Sequence, residues 1–185
     1  MFKFFKRTTL DPLSVTMVGV KLADRVVVIG CHDPKLIAAL AIKSGLTGRT
    51  CGVDPSPAVV GEAERVALAE GALAEFASAP LTALPYDASS FDVVVLRDVM
   101  RGTAVSERLP IAAESSRVLR GGGRCMIIDS TASSAGLTSM FGRTPPSDSG
   151  AADEIIETLK AAGYVAVRSL AERDGLLFLE AVKPA

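Results

Sequence analysis

The stretch that decides the fold is Arg25-Val26-Val27-Val28-Ile29-Gly30-Cys31-His32-Asp33-Pro34-Lys35-Leu36-Ile37-Ala38-Ala39-Leu40-Ala41. Its first part is a continuous β-branched run. Such a run is apolar on both faces and suits a parallel strand covered on both sides. Gly30 ends it. Asp33-Pro34 then supplies a helix N-cap and a first-turn proline. Leu36, Ile37, Leu40 and Ala41 follow at helical spacing, so a helix is expected over Pro34–Ser44.

Outward from this unit the pattern repeats. Gly45 and Gly48 close the helix. A strand at Thr50–Val53 ends at Asp54, and Ser56-Pro57 caps a helix running to about Glu70 on Val59, Val60, Val66 and Leu68. A weaker strand is expected at Ala74–Ser78. After the loop Pro80–Ser90, Phe91–Leu96 (FDVVVL) is again a buried strand. A helix over Ser106–Leu119 carries Pro110 near its first turn, with Arg117 and Arg120 suiting its negative end. Gly121-Gly122-Gly123 permits a left-handed helix cap and a tight turn before a fifth strand, Arg124–Asp129. Thr131–Gly150 reads as a long mobile loop whose Leu137, Met140 and Phe141 suit a lid over an apolar substrate or a partner-docking segment, with permanent packing on the sheet edge as the alternative. A helix at Ala151–Ala162 precedes strands Tyr164–Leu170 and Leu176–Val182, joined at Asp174-Gly175 as a hairpin. Strands alternating with helices, closed by a hairpin, predict a doubly wound α/β sheet, mostly parallel, with one antiparallel strand. The organisation expected is an extension over residues 1–24 and one domain over 25–185.

With 185 residues the chain holds one core, not two. A net charge of -1 gives no basic field, so no nucleic-acid partner is expected. No apolar run reaches the ~18 residues of a spanning helix, so no stable membrane insertion is expected. Cys31, Cys51 and Cys125 lie far apart without metal-ligand spacing and read as reduced core thiols of a cytoplasmic protein, with no metal. Met1–Arg7 alternates Phe with basic residues. A frayed tail whose Phe side chains cover an apolar edge is favoured over a membrane-surface anchor.

In open α/β sheets ligands bind at the carboxyl ends of the strands, where strand order reverses. That rim comprises Gly30–Pro34, Asp54-Pro55, Ala79–Leu81 and Arg97–Arg101. Asp54 suits the two hydroxyls of a ribose, worth roughly 1.5–3 kcal/mol, or else caps the next helix. His32, the only histidine, suits a general base or a solvent-facing side chain, the latter favoured. Asp33 reads as the helix cap. Asp98 is the candidate catalytic or substrate contact, with a surface Arg97–Asp98 pair the equal alternative.

Two central segments resemble class I S-adenosylmethionine (SAM) methyltransferases, nearest the ubiquinone and menaquinone branch. Leu84-Pro-Tyr-Asp-Ala-Ser-Ser-Phe-Asp-Val-Val-Val95 looks like their "LPF-D-x-SFD-VVV" stretch, and Arg117-Val-Leu-Arg-Gly-Gly-Gly-Arg124 like their "RVL-K-PGGR" turn. Val26–Cys31 and Gly52–Ser56 match their first and second motifs in place and order. The resemblance implies a Rossmann-like seven-stranded sheet of order 3-2-1-4-5-7-6. It further implies that Gly30, Cys31 and His32, with Arg97, face the methionine part of SAM, Asp54-Pro55 the ribose, and Pro80-Leu81 the adenine. The first motif departs from the pattern. Val28 stands where the family usually has an acid, His32 and Pro34 where it has glycines, and Pro80 where it has an acid for the adenine amino group. Glycine there would allow close backbone approach.

The expected function is SAM-dependent methyl transfer to a small molecule. A non-catalytic binding module is the alternative. A nicotinamide enzyme is less favoured, since Gly30–Pro34 lacks G-x-G-x-x-G. No Asn/Asp-Pro-Pro-Tyr segment follows the fourth strand, which argues against nucleobase amines. The short span before Arg25 suggests an open site, a large substrate, or a protein partner or second copy that completes it.

Overall fold

The computed structural model describes residues 12–131 and 149–185. In chain order its elements are α1 (Pro12–Val18), β1 (Arg25–Ile29), α2 (Pro34–Ser44), β2 (Arg49–Asp54), α3 (Pro57–Ala69), β3 (Glu75–Ser78), β4 (Phe91–Arg97), α4 (Val105–Val118), β5 (Leu119–Ser130), α5 (Ser149–Ala161), β6 (Val165–Arg173) and β7 (Leu176–Val182). The strands form one sheet in the order β3-β2-β1-β4-β5-β7-β6. The first five are parallel, and β7 runs antiparallel to both neighbours. This is the sheet that the resemblance implied.

The unbroken apolar strands have a direct explanation. Val27, Ile29, Val53, Leu96 and Ile127 share one core with Ile111 of α4 and Ile155 and Leu159 of α5. Val26, Val28, Val95 and Ile128 share the other with Val18, Leu36, Leu40 and Ala63. Helices on both faces keep the middle of the central strands apolar. Val28, at the family's acidic position, is therefore a fully buried core residue.

The local signals operate as expected. Leu36 N–H donates to Asp33 Oδ1 at 3.2 Å, and Val59 N–H to Ser56 Oγ at 3.5 Å, capping α2 and α3. Asp174 and Gly175 both take positive φ (54° and 76°), the conformation of a two-residue type I′ hairpin.

The glycine triplet differs from expectation. The C-cap of α4 is Leu119, extended at φ -76°, and β5 begins there at once. The triplet lies inside β5, where the partners step from Phe91↔Leu119 to Val93↔Arg124. This is a bulge, centred on Gly122 at φ 71°. Its bonds explain it: Gly122 N–H donates to Lys183 O at 2.9 Å, and Lys183 N–H to Gly123 O at 3.0 Å. Pairing with the chain beyond β7 thus holds these glycines in the sheet.

Helix α1 has no counterpart in the sequence reading; seven residues are too few to display a period. Leu13, Val15 and Met17 pack on the Val18 core, so this helix joins the domain. The expected tail at Met1–Arg7, and Leu137, Met140 and Phe141 of the expected loop, lie outside the described residues. Among the described residues no helix is long and apolar enough to cross a membrane.

Candidate functional site

Asp54 ends β2 with its side chain buried. Cys31 N–H donates to its Oδ2 at 3.0 Å and Ser56 N–H to its Oδ1 at 2.9 Å. The carboxylate therefore ties the β1–α2 loop to the start of α3. An ionised carboxylate has about four acceptor positions, so two remain for the hydroxyls of a diol. This is the fit that a ribose requires. The cap of α3 is Ser56, which leaves Asp54 free of that alternative role.

His32 Nε2 stands 4.0 Å from Asp54 Oδ2, with a side chain 67% exposed. Among the described residues the left-handed non-glycine positions are Ala23, Ser89, Asp98, Ala166 and Asp174, and His32 is not among them. Its backbone therefore carries no strain that glycine would relieve. Gly30 is different. It takes φ 90°, and a Cβ there would collide with the Arg97 carbonyl oxygen and crowd Val99 Cγ2. The β1 terminus and the turn after β4 are packed backbone to backbone at this point.

Burial raises the Cys31 thiol to about 12, and the Asp54 charge adds to this. Cys31 is thus a backbone donor and a small apolar side chain, not a nucleophile.

Arg97 and Asp98 form a framework. Arg97 Nε donates to Asp33 Oδ2 at 3.3 Å, and its Nη1 reaches Ile128 O at 3.2 Å and Asp98 Oδ2 at 2.6 Å. Ser130 N–H donates to Asp98 Oδ1 at 2.6 Å. Both oxygens of Asp98 are engaged, and its φ of 55° turns the chain sharply out of β4. Pro55 and Pro80 are exposed on the same rim; Leu81 leans on the core. Ala79 N–H donates to Asp54 O at 3.3 Å, which brings the Pro80-Leu81 loop beside Asp54.

Sequence reading missed Asp129. It ends the apolar part of β5 as Asp54 ends β2, and the same rule would have found it. Its exposure is 0%. Arg101 N–H donates to its Oδ2 at 2.9 Å, while Oδ1 has no partner among the described residues. Burial pushes this carboxyl up to about 6. The Arg101 N–H bond opposes the shift, the Asp98 charge reinforces it, and Arg101 and Arg97 hold it down.

The two segments that carry the resemblance bind each other. Leu84 N–H donates to Glu114 Oε1 at 2.7 Å, and Arg117 Nη2 donates to the carbonyls of Leu84 and Tyr86 at 3.2 and 2.8 Å. Arg117 also holds the Glu114 carboxyl below its ordinary range. These segments fasten a loop to α4.

A cavity of about 420 Å³ opens beside Cys31, His32, Pro34, Ala58, Val59 and Glu62, at the rim. A second of about 420 Å³, near Leu46, Leu68 and Leu73, lies at the amino-terminal end of the strands. The first is lined by Cys31 and His32, the two residues that stand against the Asp54 carboxylate.

The chain matches the family described as "Methyltransferase domain" over residues 27–127, more than half its length. A SAM-dependent methyltransferase from Aquifex aeolicus superposes with a TM-score of 0.76 at 20% identity, covering 93% of this chain and 89% of that one. A chain from the complex of the Haloferax volcanii Trm112 methyltransferase activator with a methyltransferase gives 0.70 at 19%, covering 94% and 87%. The 4+2 cyclase SpnF gives 0.69 at 17%, covering 94% and 79%. No curated protein matches by sequence. The family match and these neighbours support SAM as the cofactor. The chain belongs to the methyltransferase-domain family, built on the SAM-dependent methyltransferase fold.

Proposed function

We propose that the chain transfers a methyl group from SAM to a small, apolar molecule. The observation that carries this is the Asp54 carboxylate, buried at the end of β2 and pinned by Cys31 and Ser56, with acceptor capacity for a ribose. When bound, SAM supplies a methyl group on a positively charged sulfur. In this reading Asp54 holds the ribose and Pro55 abuts it. The turn from Gly30 through Cys31 and His32 follows the methionine part, beside Arg97. Pro80 and Leu81 flank the adenine. Arg97 and Asp98 shape the turn after β4, and Asp98 is the acceptor-side contact of the sequence reading. Positioning and exclusion of water carry much of such a displacement.

The Leu84–Val95 and Arg117–Arg124 segments support the ubiquinone and menaquinone branch. The activator seen with the Haloferax neighbour supports a protein partner that completes the site.

The second reading is a binding module without methyl transfer. The departures from the family's pattern favour it, with His32 and Pro34 where the family has glycines and Pro80 where it has an acid.

Calorimetric titration of the chain with SAM, S-adenosylhomocysteine and NAD tests the proposal. Saturable binding of the first two and none of NAD is expected. Binding of NAD alone would overturn it. Binding of SAM with no S-adenosylhomocysteine formed across a broad acceptor panel would favour the module.

A further inference from the structure

The end of the sheet opposite the Asp54 rim carries an apolar surface that the described residues leave uncovered. Leu46 is 88% exposed, and Leu22, Ile42, Leu68 and Leu73 are 61–77% exposed. They belong to one patch. Leu46 and Leu73 line both the cavity of about 420 Å³ that holds Leu68 and a neighbouring one of about 250 Å³ that holds Ile42. Leu22 joins them through Gly45, where an added Cβ would stand 2.7 Å from its Cδ1. Singly exposed leucines are ordinary, but five large aliphatic side chains gathered around two recesses are not.

The patch holds both a projection and a recess. Leu46 sits at the tip of the turn after α2, which Gly48 N–H closes on Gly45 O at 3.1 Å. Turn tips ordinarily carry polar residues or glycine, and this one presents a leucine. Beside it the recess has a floor of small residues: Ala41, Ala67 and Ala72, buried between α2 and α3, with Gly45 and Gly71 at its edge. A two-fold interface requires this pairing on a single surface, since residue i meets residue j and j meets i. An unrelated partner would need the recess alone.

Charge and area agree with a second copy. At the mouth of the larger cavity Arg49 is already held by Glu75, Nη2 to Oε2 at 2.6 Å. Glu64 is the other charged lining residue, so this surface has no basic excess for an anionic membrane. With a net charge of -1, two copies meet almost without repulsion. Five such side chains bury on the order of 300–600 Å² per copy. The total, roughly 600–1,200 Å², belongs to the class of weak, exchanging complexes.

We propose that this surface, built from the carboxyl ends of α2 and α3 and the turns that follow them, is a two-fold interface with a second copy of the chain. Leu46 of each copy seats in the recess of the other. The two Asp54 rims then face outward at opposite ends of the pair, so this contact is distinct from any partner that completes the cofactor site.

Sedimentation equilibrium of the full chain from about 1 μM to 1 mM tests this. The mass should climb from 19.2 kDa toward twice that value, with a midpoint in the micromolar range. Leu46→Asp removes one anchor from each copy and should weaken pairing about 100-fold, roughly tenfold per copy. Leu73→Asp should act alike. Leu109→Asp, at an exposed position of α4 away from the patch, should pair like the parent. All three side chains are exposed, so melting of the dilute variants should match the parent. A mass of 19.2 kDa at every concentration would overturn the proposal. So would pairing that survives both Leu46→Asp and Leu73→Asp, or equal weakening by Leu109→Asp. A parent that stays single but floats with phosphatidylcholine vesicles would give the surface to a membrane. One that pairs only after removal of residues 1–11 would give it to the chain's own first segment. Either result overturns the two-fold contact.

Discussion

Cys31 N–H and Asp54 Oδ2 meet at 3.0 Å across the ends of β1 and β2, which makes the carboxylate a structural tie and, under the proposed function, the ribose ligand as well. Asp54→Ala removes both. Affinity for S-adenosylhomocysteine should fall roughly 10- to 150-fold, the loss of a charge-assisted bond. Asp54→Asn keeps one acceptor oxygen and should lose less, both in affinity and in melting temperature. Calorimetry beside thermal melts checks this; unchanged affinity in Asp54→Ala would remove Asp54 from the site.

His32 separates side chain from backbone. Because it is not left-handed, glycine relieves no strain there. Any change in affinity should come from uncovering Asp54, whose Oδ2 lies 4.0 Å from the imidazole. His32→Ala and His32→Gly should therefore tighten S-adenosylhomocysteine binding to the same extent. Tightening by glycine alone would show that the loop backbone must move. Weakening in both would give the imidazole a positive role.

Gly30→Ala places a Cβ against the Arg97 carbonyl in a left-handed conformation. Overpacking costs ~1–3 kcal/mol and the conformation ~1–2. A loss of about 3 kcal/mol should lower Tm by roughly 6–12 °C in a domain of this size. Urea denaturation measures it, and a loss under 1 kcal/mol would show that β1 and β4 part easily.

Asp129 should burden the fold at neutral pH. Its carboxyl is raised to about 6 in the native state, against about 3.9 unfolded. Between those values the native protein binds more protons, so stability falls as pH rises from about 4 to 6 and stays lowered above. Asp129→Asn should gain about 1–3 kcal/mol at pH 7.5, and the gain should disappear near pH 4. Denaturation at both pH values decides; a variant less stable at pH 7.5 than at pH 4, relative to the parent, would reverse the sign of the argument.

Much of the architecture was legible because its signals are local. The run Val26–Ile29, the caps Asp33 and Ser56, and the Asp174-Gly175 turn act within a few residues of themselves, and each formed as read. Leu84 and Arg117 identified the family because they fasten a loop to α4, which is a property of the fold and not of the cofactor. The sequence by itself thus determined the alternation of strands and helices from Arg25 onward, and hence a doubly wound sheet, though not α1 or the start of β5. Tertiary structure alone decided the rest. It made the glycine triplet a bulge, because Lys183 lies beside it. It gave Gly30 its necessity through Arg97, and left Asp129 buried with one oxygen unpaired. Those outcomes depend on strands far apart in the chain being set side by side. No pattern confined to a few residues carries such distances, because only the assembled sheet brings the partners within reach.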